Sequence, residues 1–159
     1  MKTRLALVAL LALGMGLLAP ALAQDKDIVD TAVAAGSFKT LAKLLTDADL
    51  VAIMKGPGPY TVFAPTDEAF AKVPKETLDA LAKDKAKLQT VLTYHVLTSR
   101  WTSDDIKLVK STGTAQGKPV QFGTSGGALT VNGVKVVKAD IGCANGVIHV
   151  IDTVLMPPN

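Results

Sequence analysis

The chain has 159 residues, with 17 Lys and Arg against 14 Asp and Glu, 48% hydrophobic residues and only 4% aromatic ones. A chain of this length fits one domain that buries about two-thirds of its unfolded surface, so a real core can form. Its lysines are scattered among acids and its aromatics are sparse, which argues against a nucleic-acid surface, and a lone cysteine, Cys143, excludes an internal disulfide.

Lys2 and Arg4 precede an apolar run from Leu5 to Leu18. Pro20 breaks the run, and Ala21-Leu22-Ala23 offers small residues at a cleavage position. The pattern predicts a secretory signal peptide over 1–23, cut after Ala23, and one domain over 24–159. Losing Lys2 and Arg4 lowers the 17 basic residues to 15 against 14 acidic ones, so the net charge falls from +3 to +1. No later stretch approaches the ~20 apolar residues of a membrane span. The expected location is therefore secreted or periplasmic.

The first half reads as helix. Ile28, Val29, Ala32 and Val33 share one helical face, and Phe38, Leu41, Leu44 and Leu45 make a second stripe after Gly36. Leu50, Ile53 and Met54 suggest a short third helix, ended by Gly56-Pro57-Gly58-Pro59. Tyr60 to Ala64 reads as a buried strand. Thr66 or Asp67 can cap the next helix, Pro74 starts another through Leu78 and Leu81, and Leu88, Val91 and Leu92 mark one more. The second half reads as strands: Val120–Phe122, Leu129–Val131, Val134–Val136 and a long central run from Val147 to Leu155. Asn132-Gly133 between two of them signals a type I′ hairpin. Helices first and antiparallel strands later predict an α+β fold.

Two chemical patterns arise and lack their context. Gly123-Thr124-Ser125-Gly126-Gly127 fits G-x-S-x-G, with Asp140 and His149 following in hydrolase order. A nucleophile elbow needs a helix after the serine, whereas a predicted strand follows here. His95, His149 and Cys143 are the only soft metal ligands, and they are far apart in sequence. No catalytic residue, metal or cofactor is expected.

Three segments together resemble the fasciclin domain family. Tyr60-Thr61-Val62-Phe63-Ala64-Pro65-Thr66-Asp67-Glu68-Ala69-Phe70 is similar to its first signature. Tyr94-His95 is similar to its central pair, and Asn145-Gly146-Val147-Ile148-His149-Val150-Ile151-Asp152 to its second signature. The resemblance implies N-terminal helices packed on a wedge-shaped, mostly antiparallel β-sandwich. Phe63, Pro65, Thr66, Asp67, Phe70, Gly146 and His149 then read as structural. His149 alternates with Val147 and Ile151, so its ring nitrogens need partners if it is buried.

The function the resemblance implies is adhesion or another extracellular protein interaction, without enzymatic activity, toward a cell-surface or matrix protein. Asp140-Ile141 occupies the place linked to partner binding in animal members, with Tyr94 and His95 as a supporting patch. Carriage of a small apolar ligand such as a carotenoid is the second reading. Cys143, in a turn with Gly142 beside it and Gly146 beyond, is expected to be partly exposed and to offer a route to a disulfide-linked dimer.

Overall fold

A computed structural model describes residues 26–158. The expected signal peptide and its cleavage position lie outside the described residues.

Helix α1 (Ile28–Ala35) starts where the Asp27 carboxylate accepts the Asp30 N–H at 2.9 Å, and it ends at Gly36, whose φ of 75° suits glycine. It buries Ile28, Val29 and Ala32, while α2 (Lys39–Asp47) buries Leu41, Leu44 and Leu45. A short α3 (Val51–Met54) leads into β1 (Tyr60–Pro65). Thr66 caps α4 (Asp67–Ala71) by accepting the Ala69 N–H at 3.2 Å. Then come α5 (Lys75–Lys83), α6 (Lys85–Tyr94) and β2 (Val96–Leu97).

The second half departs from the predicted elements at Ser103–Lys107, Ser111–Gly113, Val134–Cys143 and Gly146–Ile151. Helix α7 (Ser103–Lys107) and strand β3 (Ser111–Gly113) were not expected. Helix α7 has a single buried residue, Ile106, so it leaves no apolar stripe; its signal is the Thr102–Asp105 capping box. Strands β4 (Pro119–Ser125) and β5 (Ala128–Val131) precede β6, which runs from Val134 to Cys143, well past the predicted Val136. Strand β7 (Gly146–Ile151) stops four residues short of Leu155, because the chain bends at Asp152 and Thr153.

The strands lie in the order β2-β1-β7-β6-β5-β4-β3. Strands β1 and β7 pair in parallel and every other neighbour is antiparallel, so the sheet is mixed. Strand β7 is central, with all six residues buried. The Asn132-Gly133 turn has φ of 50° and 79°, as a type I′ hairpin requires. Strand β6 links the two halves of the sheet. Val134 and Lys135 pair with β5, the later residues pair with β7, and register shifts interrupt it between Val136, Lys138 and Ile141. Such bulges bend a strand and raise its twist.

The bend makes two cores. Helices α1, α2 and α6 cover one face of β1 and β7, burying Leu41, Leu88, Val62 and Ile148 together. On the other face, Phe63 and Ile151 meet Val120 and Val131 from β4 and β5, so the sheet folds over itself as a sandwich. The Phe63 and Phe122 rings lie 6.0 Å apart across this wedge. Burying a side chain such as Phe63, which is fully enclosed, contributes roughly 1.5–3 kcal/mol.

Candidate functional site: the His149–Asp140 corner

Strand alternation turns His149 into the wedge beside Phe63. It is fully buried, and its ring stacks on Phe63 at 5.6 Å. Nδ1 accepts the Asp140 N–H at 3.2 Å, so the ring proton sits on Nε2, which donates to the Trp101 carbonyl at 2.7 Å. Burial pushes its pKa below the ordinary 6.5, against smaller upward pulls from the Trp101 carbonyl and the Asp140 charge. The ring is neutral and both nitrogens are bound to backbone. It can neither take a proton from a nucleophile nor hold a metal in this arrangement.

What His149 holds in place is the β6 bulge. Asp140 has a φ of 58°, a left-handed conformation that Asp tolerates better than most residues. Its side chain is exposed, and its carboxylate accepts the Ser103 N–H at 2.7 Å and the Ser103 hydroxyl. Burial works against ionisation, but the two bonds from Ser103 outweigh it and hold the carboxyl below the usual carboxylate range. Asp140 thus ties the bulge to the first turn of α7. Thr61, buried on β1, completes the corner: its hydroxyl donates to Ser99 O at 2.6 Å and accepts the Trp101 N–H at 2.8 Å. Ile141 is half-buried and leans on the helix-side core.

Tyr94 and His95 require a correction. They are 1% and 2% exposed, so they cannot form the expected surface patch beside Asp140. The Tyr94 hydroxyl donates to Pro119 O at 3.2 Å and accepts the Asn132 amide at 2.6 Å, which braces the β5–β6 hairpin. His95 donates from Nδ1 to Val91 O at 2.7 Å and accepts the Leu155 N–H on Nε2 at 2.9 Å. That bond fixes the segment after β7. Cys143 requires a second correction. It is 2% exposed in the helix-side core, because the β6–β7 turn is closed by the Cys143–Gly146 pair and covered by α1. Burial pushes its thiol pKa up, so it is neither accessible nor activated for a disulfide-linked dimer.

The remaining signature residues each close a junction. Phe70 enters the helix-side core, and Pro65 ends β1 opposite Ile151. The Asp67 carboxylate accepts the Thr40 N–H at 2.8 Å and the Lys39 N–H at 3.4 Å, capping α2 across a gap of more than twenty residues. Burial raises its pKa, but these N–H bonds prevail and lower it. A Cβ on Gly146 would stand 2.0 Å from Tyr60 O, so only glycine lets β7 lie against β1 there. Asn145, which the sequence offers only as the first residue of the second signature, ties three segments together. Its Oδ1 accepts the Ile28 N–H at 3.0 Å, and its amide donates to Met54 O at 2.7 Å and Gly56 O at 2.8 Å. An amide followed by Gly inside a signature was the available signal.

Ser125 of the G-x-S-x-G pattern lies at the end of β4 opposite Ala128, in a turn with φ of 56° at Gly126 and 81° at Gly127. Strand β5 follows where an elbow needs a helix. Among the described residues, no three His, Cys, Asp or Glu converge to hold a metal ion, and no helix is long and apolar enough to cross a membrane. An apolar cavity between α1, α2 and the sheet measures about 20 Å³.

A mixed sheet folded over itself, capped by helices and with its histidines tied to backbone, defines an α+β module. The chain matches the fasciclin domain over residues 36–157 and belongs to that family. It is 39% identical to an uncharacterized Synechocystis protein, sll1735, over 82% of this chain and 97% of that one. It is 40% identical to the immunogenic protein MPB70 of Mycobacterium bovis over 64% of this chain and 51% of that protein. Human periostin is 35% identical over 83% of this chain, which spans only 16% of periostin. The FAS1 domain pair of the insect cell adhesion molecule fasciclin I has a TM-score of 0.68 at 17% identity, covering 84% of this chain and 52% of that one, and shares the fold.

Proposed function

We propose that this chain is an exported, non-enzymatic adhesion or extracellular protein-interaction domain, secreted or periplasmic, that meets a cell-surface or matrix protein through the face carrying Asp140 and Ile141. One observation carries the reading. The signature histidine, His149, is spent on holding the bulge that presents Asp140 at the surface. The Ser103 bonds keep that carboxylate charged and oriented, ready for a basic or cation-bearing partner. Tyr94 and His95 are buried and lie outside that contact face. The fold shared with the FAS1 domain pair of a cell adhesion molecule agrees with this class of function. Carriage of a carotenoid fits less well, since ligand pockets enclose roughly 300–1,000 Å³ and the apolar cavity about 20 Å³.

Asp140→Asn is the informative variant, because Asn accepts the same left-handed backbone, keeps an acceptor for the Ser103 N–H, and exchanges the charge and the second acceptor oxygen for an amide donor to the Ser103 hydroxyl. Beads coated with the wild-type chain should attach to cells of the source organism. Beads coated with the Asn variant should lose that attachment while the variant stays folded, its melting temperature lowered only slightly by the weakened Ser103 bonds. Retained attachment would remove the Asp140 face from the reading. Absence of wild-type attachment would overturn adhesion itself. A visible absorbance band on the purified protein would favour the carrier.

A further inference from the structure

A second surface shares helix α7 with the Asp140 corner. Helix α7 crosses β4 and leaves a hollow of about 150 Å³ between them. Its floor is apolar, made by Ile106, Phe122 and Leu129, with Val109 at one side. Ile106 is fully buried, and Phe122 lies 6.0 Å from Phe63, so the floor is anchored in the wedge core. The 108–110 segment is held over β4 by the bond from the Phe122 N–H to Lys110 O at 2.8 Å. Gly123 and Thr124 also line it, which gives the glycine-rich stretch singled out in the sequence a place in the site. Leu108, in the segment that edges the hollow, is 85% exposed, the most exposed large hydrophobic side chain among the described residues.

The lining of this hollow is basic, with the Asp104 carboxylate at its edge. Lys107 and Lys110 are the ionisable residues that line it. Lys107 pairs with Asp104 at 3.3 Å on an exposed edge, a pairing water largely screens. Among the described residues, Lys110 has no carboxylate within 4 Å. An apolar floor ringed by two ammonium groups complements an apolar side chain flanked by carboxylates. It does not complement a bilayer, whose anionic surface is usually met by clusters of four to eight basic residues, nor a nucleic acid, which needs exposed stacking rings.

We propose that the α7–β4 hollow is a docking site for a short acidic segment of a protein partner, which seats one aliphatic or aromatic side chain on Phe122 and Leu129 and places flanking carboxylates on Lys107 and Lys110. This site shares α7 with the Asp140 face, but neither Asp140, Ile141 nor Ser103 lines it, so binding at one can be lost without the other. Leu108 extends the apolar contact beyond the hollow, and the short glycine-rich stretch allows the β4–β5 turn to adjust to the bound segment.

The test uses the whole chain, isotope-labelled, titrated with a capped Glu-Glu-Leu-Phe-Glu-Glu peptide and with its Lys-Lys-Leu-Phe-Lys-Lys counterpart. The acidic peptide should shift the resonances of Ile106, Leu108, Phe122, Thr124 and Leu129, and the basic one should not. Lys107→Glu with Lys110→Glu should weaken the acidic peptide about tenfold, the sum of two exposed ion pairs turned repulsive. Leu108→Ser should weaken it without altering the melting temperature, and Lys83→Glu on α5 should leave it unchanged. Absence of shifts, equal response to both peptides, or shifts confined to the Asp140 corner would overturn the proposal. So would binding to phosphatidylserine vesicles that the acidic peptide fails to displace, or concentration-dependent self-association through the same residues.

Discussion

The Asp140 N–H donates to Nδ1 of His149 at 3.2 Å, across a β6–β7 ladder that loses its register between Lys138 and Ile141. The bulge leaves a backbone donor without a strand partner, and the buried ring supplies the acceptor. His149→Ala therefore strands two backbone groups, the Asp140 N–H and the Trp101 carbonyl, inside or beside the wedge. The expected loss is on the order of 2–4 kcal/mol, read from urea denaturation at neutral pH. A variant as stable as wild type would show that the bulge does not depend on the ring.

Acid should weaken the fold through the histidines before it reaches the carboxylates. Burial pushes the His95 pKa down to about 4, and His149 is lowered from its ordinary 6.5 as well. A histidine depressed in the folded state takes up its proton more readily when unfolded. Stability is then full above about pH 6.5 and falls as the pH drops toward the folded values, His95 alone accounting for on the order of 3 kcal/mol. Asp67 and Asp140 act lower down, since their stabilisation is present above the unfolded value of 3.8 and disappears as the pH falls through their lower folded values. Melting curves from pH 8 to pH 4 should stay level and then descend. His95→Gln, which cannot titrate, should flatten the descent, and an unchanged slope would rule out His95 as its source.

Gly146→Ala should be among the most damaging small substitutions in the chain. The added methyl meets Tyr60 O at 2.0 Å and the Ile28 Cδ1 at 2.8 Å, and backbone on β1 cannot step aside without breaking the parallel pair. A loss on the order of 3 kcal/mol or failure to accumulate folded protein is expected. Gly113→Ala, where nothing lies within 4 Å of the new atom, serves as the control. Equal melting temperatures for the two variants would contradict the close approach.

Asn145→Asp tests the amide next door. It keeps the oxygen that receives the Ile28 N–H and replaces the donor aimed at Met54 O and Gly56 O with an acceptor. Three oxygens then face one another, so destabilisation of about 2–4 kcal/mol is expected. Asn145→Ala should cost less than Asn145→Asp, because it removes the bonds without adding repulsion. The reverse order in chemical denaturation would mean that the amide bonds are not the source.

Cys143 should behave as a core residue. Its thiol should react with Ellman's reagent only after denaturant is added, and non-reducing electrophoresis should show monomer. Rapid labelling of the folded chain, or a reducible dimer, would contradict its burial.

The sequence by itself determined the helices over α1, α2, α5 and α6, the strands β1, β5 and β7, and the Asn132-Gly133 hairpin. Each is recorded by a local regularity: apolar residues at helical spacing, β-branched runs, or a turn dipeptide that accepts positive φ. It also determined the family, through the segments around Phe63, Tyr94 and His149. Only the tertiary structure decided what those residues touch. Asn145 meets Ile28 across 117 positions, His95 meets Leu155 across 60, and Trp101 meets His149 across 48. No periodicity marks such pairs, because they arise where the chain crosses itself and must satisfy buried polar groups. For the same reason the sequence left Tyr94, His95 and Cys143 open to a surface role that burial removes. A residue's exposure is set by which elements close over it, here the helices on one face of the sheet and the folded-over β4 and β5 on the other.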